Sequence, residues 1–127
     1  MSNQPQRAIV PIYTSRGDPE AFLAYPYLHN RLGEWIGWVT SDRQVYSVLG
    51  LYIGELTAEP RIIRKRITAA LKPRKTPPPR PTRLSIPATI PLAPMMGDLR
   101  FGVTDVLLDE PERLHTLDAG EQRQDMD

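Results

Sequence analysis

The chain contains no cysteine and only two histidines, His29 and His115. The first absence rules out disulfide staples and fits a reducing compartment. The second leaves too few nitrogen ligands for a structural zinc site, so no metal is expected. No nucleophile elbow, Gly-rich phosphate loop or His/Cys spacing accompanies the two imidazoles. His29 stands beside the turn-forming Asn30, a place where histidine is more often a surface or packing residue. The carboxylates Glu34 and Glu55 fall at non-equivalent positions of the repeat described below, so they do not form a symmetric acid/base pair. The chain is therefore read as non-enzymatic, with no catalytic residue and no cofactor. Long apolar runs are missing too. No stretch approaches the roughly 18 apolar residues of a membrane span, and the opening Met1-Ser2-Asn3-Gln4-Pro5-Gln6-Arg7 has no signal-like run. These features predict a cytoplasmic protein with no membrane association.

What is present is a motif written twice, seventeen residues apart. Leu32-Gly33-Glu34-Trp35-Ile36-Gly37-Trp38-Val39-Thr40-Ser41-Asp42 is followed by Leu49-Gly50-Leu51-Tyr52-Ile53-Gly54-Glu55-Leu56-Thr57-Ala58-Glu59. Five of the eleven positions are identical, and Trp35/Tyr52, Val39/Leu56 and Asp42/Glu59 exchange like for like. So short a period fits one strand plus its return connection. The predicted fold class is mainly β: a small antiparallel meander of short strands, oligomeric, with a Pro-rich extended arm and a short C-terminal helix. Strands are expected over 21–28, 34–40, 44–48, 51–57 and 61–67, with an earlier β-like patch at 8–13. Gly33 and Gly50 precede the repeated strands, where a positive φ is often needed. Residues 67–71 fit either a helical turn or an extension of the last strand.

The segments predicted are 1–20 at the N-terminus, a β-meander domain over 21–71, a Pro-rich arm over 72–99, a short packed or helical stretch over 100–118, and a disordered acidic tail over 119–127. Eight of the fourteen prolines lie between Pro73 and Pro94. They exclude helix interiors and central strands there. Ile86, Ile90, Leu92, Met95 and Met96 suit a segment laid on a surface. Asp109-Glu110-Pro111-Glu112 looks like a capping box before a helix carrying Leu114 and Leu117. The 21–71 core holds only about fifty residues, and so small a domain buries only about 60% of its unfolded surface. Oligomerisation is the remaining common remedy.

Side chains alternate along a strand. Strict alternation puts Trp35, Gly37 and Val39 on one face with Ile36 and Trp38 on the other, so both faces are apolar. Either the sheet closes into a tiny barrel or its second face is covered by another chain. Trp35, Ile36, Trp38, Tyr52 and Ile53 are the candidate core or oligomer-interface residues. The aromatics Trp35, Trp38, Tyr46 and Tyr52 also suit a ligand surface or base stacking, although packing is the commoner use. Mid-strand Gly37 and Gly54 call for a bulge, a bend or a close neighbouring backbone.

Net charge is +1, yet it is distributed in blocks. Nine Lys/Arg and no acid lie between Arg61 and Arg83, and nine acids against three arginines follow. Arg61, Arg64, Lys65 and Arg66 are therefore candidate anion or nucleic-acid contacts. A charged edge strand, or pairing with the acidic tail, explains such a run equally well.

The turn-like Asn30-Arg31-Leu32-Gly33, the aromatic-Ile-Gly strands from Trp35 to Val39 and Tyr52 to Leu56, and Val45-Tyr46 resemble the four-fold beta-flower family. That resemblance implies short meanders assembled about a four-fold axis, hence a tetramer, and carries no catalytic residue. The Ile-Gly-x-Val pattern is also similar to strands of PRC-barrel domains. Two functions follow as expectations. One is a symmetric homo-oligomer acting as a structural or protein-interaction scaffold, with a partner contacted through 84–108. The other is a nucleic-acid-binding module using 61–83.

Overall fold

The computed structural model describes residues 8–118; the tail expected over 119–127 lies outside them. The protein is mainly β, as its sequence predicts. Eight strands follow one another in a single antiparallel meander, curled into a half-barrel. They are β1 (Val10–Tyr13), β2 (Pro19–Ala24), β3 (Tyr27–His29), β4 (Trp35–Val39), β5 (Gln44–Ser47), β6 (Tyr52–Leu56), β7 (Ile62–Lys65) and β8 (Val103–Asp105). Short helices α1 (Arg66–Ala69) and α2 (Val106–Asp109) follow β7 and β8. The sheet thus takes one strand from the N-terminal 20 residues and one from beyond the arm, in addition to those of 21–71.

Three local expectations are corrected. The single strand over 21–28 is two, because the chain turns back at the cis Tyr25–Pro26 bond. The strand expected over 61–67 ends at Lys65, and of the two alternatives open for 67–71 the helical turn forms, over Arg66–Ala69. The C-terminal helix starts earlier than Asp109: Asp105 caps α2 by accepting from the Leu108 amide at 3.2 Å. Pro111–Arg113 forms only a 3-10 turn.

One turn design recurs along the meander. In five hairpins the amide of a Thr, Asn or Ser donates to the carbonyl four residues on: Thr14 to Asp18, Asn30 to Glu34, Thr40 to Gln44, Ser47 to Leu51 and Thr57 to Arg61. The side-chain oxygen of that first residue accepts an amide from the same turn in every case. Short polar side chains favour such turns because they replace backbone acceptors locally. The fourth residue takes a positive φ at Gly17, Gly33, Arg43 and Gly50.

The repeat is a repeated β-bulge. Opposite β3, His29 pairs with Trp35 and Leu28 with Gly37, which skips Ile36. Opposite β5, Tyr46 pairs with Tyr52 and Val45 with Gly54, which skips Ile53. The extra residue breaks strict alternation, so the face assignment above is corrected. Trp35 and Trp38 share the outer face, whereas Ile36 and Val39 both belong to the inner core. A Cβ on Gly37 would lie 2.6 Å from the Tyr46 carbonyl oxygen, and one on Gly54 2.1 Å from that of Ile63. Both glycines are required by neighbouring backbone.

The inner face packs Ile12, Leu28, Ile36, Val45, Ile53 and Ile62 with Val106, Leu107 and Leu114 from the C-terminal stretch. Polar contacts tie the two ends of the sheet together. The Tyr13 amide donates to the Pro60 carbonyl at 3.1 Å. The Ser15 hydroxyl and amide both donate to Oδ2 of the buried Asp105, at 2.5 and 2.6 Å. Arg61, 3% exposed, donates from Nη1 to the Ser15 hydroxyl and to the Gly97 carbonyl.

Candidate functional site

Trp35, Trp38, Tyr46 and Val48 form a second buried cluster on the outer face, flanked by Tyr27, Leu49, Tyr52 and Leu117. Trp38 stacks on Tyr46 with centroids 4.9 Å apart, and Tyr52 meets Tyr46 edge-on at 5.5 Å. Each indole N–H finds a carbonyl, Trp35 on Gly37 and Trp38 on Ser47. Trp35, Ile36, Trp38 and Ile53 are buried within the single chain, and Tyr52 is half-buried. The aromatic surface is therefore a packed layer.

The chain's own Pro-rich arm lies across this side of the sheet. It has no regular secondary structure between residues 72 and 100. It passes the glycine turns in reverse order. The Lys75 amide donates to the Gly50 carbonyl at 3.0 Å, and the Leu84 amide donates to the Gly33 carbonyl at 2.9 Å. Farther along, Ala93 lies against Gly17. A Cβ on Gly50 would meet the Lys75 carbonyl oxygen at 2.2 Å, and one on Gly33 that of Leu84 at 2.0 Å. Glycine is needed at both turns for its left-handed φ and again for the close approach. Between these points Tyr27 donates its hydroxyl to the Pro79 carbonyl, and Tyr13 its hydroxyl to that of Pro91. Lys72 and Lys75 place their ammonium groups 5.7 and 5.6 Å above the rings of Tyr52 and Tyr46.

His29 is buried beneath the Gly33 turn, its Nδ1 3.0 Å from the Gly33 carbonyl oxygen. That carbonyl thus holds both the imidazole and the arm. Burial lowers the His29 pKa, and the Gly33 hydrogen bond opposes this in part.

The basic residues singled out from sequence do not gather into one surface. Arg61 faces inward, and its Nε lacks a hydrogen-bond partner. Lys65 pairs with Glu55 at 3.4 Å. Arg66 donates to the Thr104 hydroxyl. Arg64 donates from Nη1 to two carbonyls, Tyr52 at 3.0 Å and Ile53 at 2.9 Å. Beside it opens a cavity of about 410 Å3 that also reaches Lys72, Glu112, Arg113 and His115. Sequence reasoning missed this cavity and the part Arg113 plays in it, because its walls come from stretches as distant as β6 and the 3-10 turn. The signals in the sequence were Arg64, a candidate anion contact, and the bulge residue Ile53, whose carbonyl anchors it.

Large apolar side chains are fully exposed on the far part of the arm. Leu92, Met95 and Phe101 are 96%, 100% and 103% exposed. Ile86, Ile90 and Met96 of the same stretch are half-buried, so this part of the arm has an inner and an outer side. Among the described residues no group of three or more His, Asp or Glu side chains converges as metal ligands, and no helix is long and apolar enough to cross a membrane.

No protein family, curated protein or solved structure matches this chain.

Proposed function

We propose that this protein is a non-catalytic β scaffold that associates with copies of itself through the outer side of residues 92–101. The tetramer implied by the beta-flower resemblance is the state expected. One observation carries the reading: Leu92 and Met95 project into solvent from a bow pinned at both ends. Its start is fixed by the Tyr13 hydroxyl on the Pro91 carbonyl at 2.6 Å, and its end by Arg61 on the Gly97 carbonyl at 3.0 Å. Pinning lowers the ordering cost of presenting these side chains to a partner. Fully exposed Leu, Met and Phe close together along a chain are a common mark of a contact surface.

The test is solution mass by light scattering, for the wild type and for the triple variant Leu92→Ser, Met95→Ser, Phe101→Ser. These side chains are solvent-exposed, so the substitutions leave no cavity. A salt-resistant oligomer that becomes monomeric in the triple variant is the expected result. A wild-type monomer at every concentration, or a triple variant of unchanged mass, overturns the proposal.

A further inference from the structure

The cavity beside Arg64 is lined by three basic side chains, Arg64, Lys72 and Arg113. Arg64 is held by one nitrogen only: Nη1 is spent on the Tyr52 and Ile53 carbonyls, while Nη2 and Nε donate to no acceptor among the described residues. A guanidinium fixed along one edge and open along the other is a preorganised donor pair for an oxyanion. Lys72 flanks the same cavity, its ammonium held over the Tyr52 ring. Arg113 contributes a third cation, neutralised by Glu110 at 2.5 Å. Glu112 also lines the space. None of the four ion pairs among the described residues involves Arg64 or Lys72. Two cations therefore line the cavity with no carboxylate among the described residues in ion-pair contact with them.

The remaining wall is apolar or neutral, with Leu51, Ile53, Ala69 and the Tyr52 ring. At about 410 Å3 the space exceeds what an inorganic ion fills and matches a small organic ligand. Burial and the nearby Arg113 charge both press on the charged form of Arg64, with Glu110 opposing. An anion against its open edge relieves that pressure.

We propose that this cavity binds a small organic molecule through a carboxylate or phosphate group, clamped between the open edge of Arg64 and Lys72.

The full-length chain is titrated with adenosine monophosphate, citrate and inorganic phosphate, with backbone amides followed by NMR at about 50 mM salt, where charge contacts are still weakly screened. Saturable shifts at Ile53, Arg64 and Ala70 with either organic anion are expected, and which anion binds separates a phosphate guest from a carboxylate one. Lys72 is exposed, and Lys72→Gln keeps the fold while weakening binding about tenfold, as the loss of one charge-assisted contact requires. Arg64→Lys, which keeps charge but loses the paired donors, weakens it further. No saturable shift with the organic anions overturns the proposal. So does binding by phosphate alone, or binding that Lys72→Gln leaves unchanged.

Discussion

The docking of the arm on the glycine turns is testable with four alanine substitutions that separate its components. Gly97 has no neighbour within 4 Å of an added Cβ and no left-handed φ, so Gly97→Ala measures background. Gly102 has a φ of +83° and likewise no neighbour, so Gly102→Ala measures the backbone cost alone, about 1 to 2 kcal/mol. Gly50 has the same φ of +83° but sets its added Cβ 2.2 Å from the Lys75 carbonyl oxygen. Gly33, at +82°, sets its Cβ 2.0 Å from that of Leu84. Ordinary contact begins near 3.4 Å, so the arm must retreat by more than 1 Å. That retreat breaks the Lys75–Gly50 or Leu84–Gly33 hydrogen bond, worth about 1 kcal/mol net. It also uncovers part of the stacked aromatic layer, at roughly 25 cal/mol for each Å2 exposed. Gly33→Ala and Gly50→Ala should therefore cost about 3 kcal/mol or more, at least 1 kcal/mol beyond Gly102→Ala. Urea unfolding gives the stabilities. Trypsin reports on the arm, because Arg74–Lys75, Lys75–Thr76 and Arg83–Leu84 are its cleavable bonds there, the other basic sites from Lys72 to Arg80 being followed by proline. Cleavage of the arm should speed up in Gly33→Ala and Gly50→Ala but not in Gly102→Ala. Equal destabilisation across the three, with equal cleavage, would refute the docked arm.

Two further outcomes are expected. Arg61→Met removes the buried guanidinium that links the Ser15 hydroxyl, the Gly97 carbonyl and Glu59, at a cost of about 2 to 4 kcal/mol in urea unfolding; a cost below about 1 kcal/mol would mean that the guanidinium contributes little to joining the two sheet ends. For His29 the folded pKa lies below its ordinary value near 6.5, so the unfolded chain takes up a proton that the fold resists. Stability is full above about pH 7 and declines as pH falls through about 6.5 toward the folded value, and His29→Gln should flatten that slope; an unchanged slope would assign it to other groups.

The strands and glycine turns were legible because their signals are local. Alternating β-branched and aromatic residues, with Gly33 and Gly50 seventeen residues apart, suffice to place a meander. The bulge was only half legible. Gly37 and Gly54 signalled a space requirement, but the skipped residue became visible only in the pairing of Leu28 with Gly37 and Val45 with Gly54. That skip decides which faces Ile36 and Trp38 occupy, and strict alternation gets it wrong. Strand β8 was illegible for a different reason. Val103–Asp105 is three residues long and joins β7 only after the whole arm has returned. The cavity likewise depends on β6, β7, α1 and the 3-10 turn meeting, which no sequence spacing records. The basic run was legible as charge but not as burial: Arg61 spends Nη1 on a hydroxyl and a carbonyl inside the fold, whereas Arg64 spends only Nη1 on carbonyls.

An apolar second face on a small sheet ordinarily argues for a partner chain, since nothing else covers it. Here the sequence carries its own cover. Proline suits that task, because a residue with no amide N–H brings no unsatisfied donor to the sheet and loses little entropy on docking. The few arm amides that must be satisfied are met at the glycine turns, by Lys75 and Leu84. Under the proposed self-association, folding and assembly are thereby separable. Tyr27, Tyr46 and Tyr52 hold the arm to the sheet, with Trp38 stacked on Tyr46, while Leu92, Met95 and Phe101 remain outside it. Trp38→Ser should then unfold the chain or release the arm, and Leu92→Ser should change only the assembled mass. If Leu92→Ser lowered the unfolding midpoint of a strictly monomeric sample as much as Trp38→Ser, the outer side of the arm would belong to the fold and the division would fail.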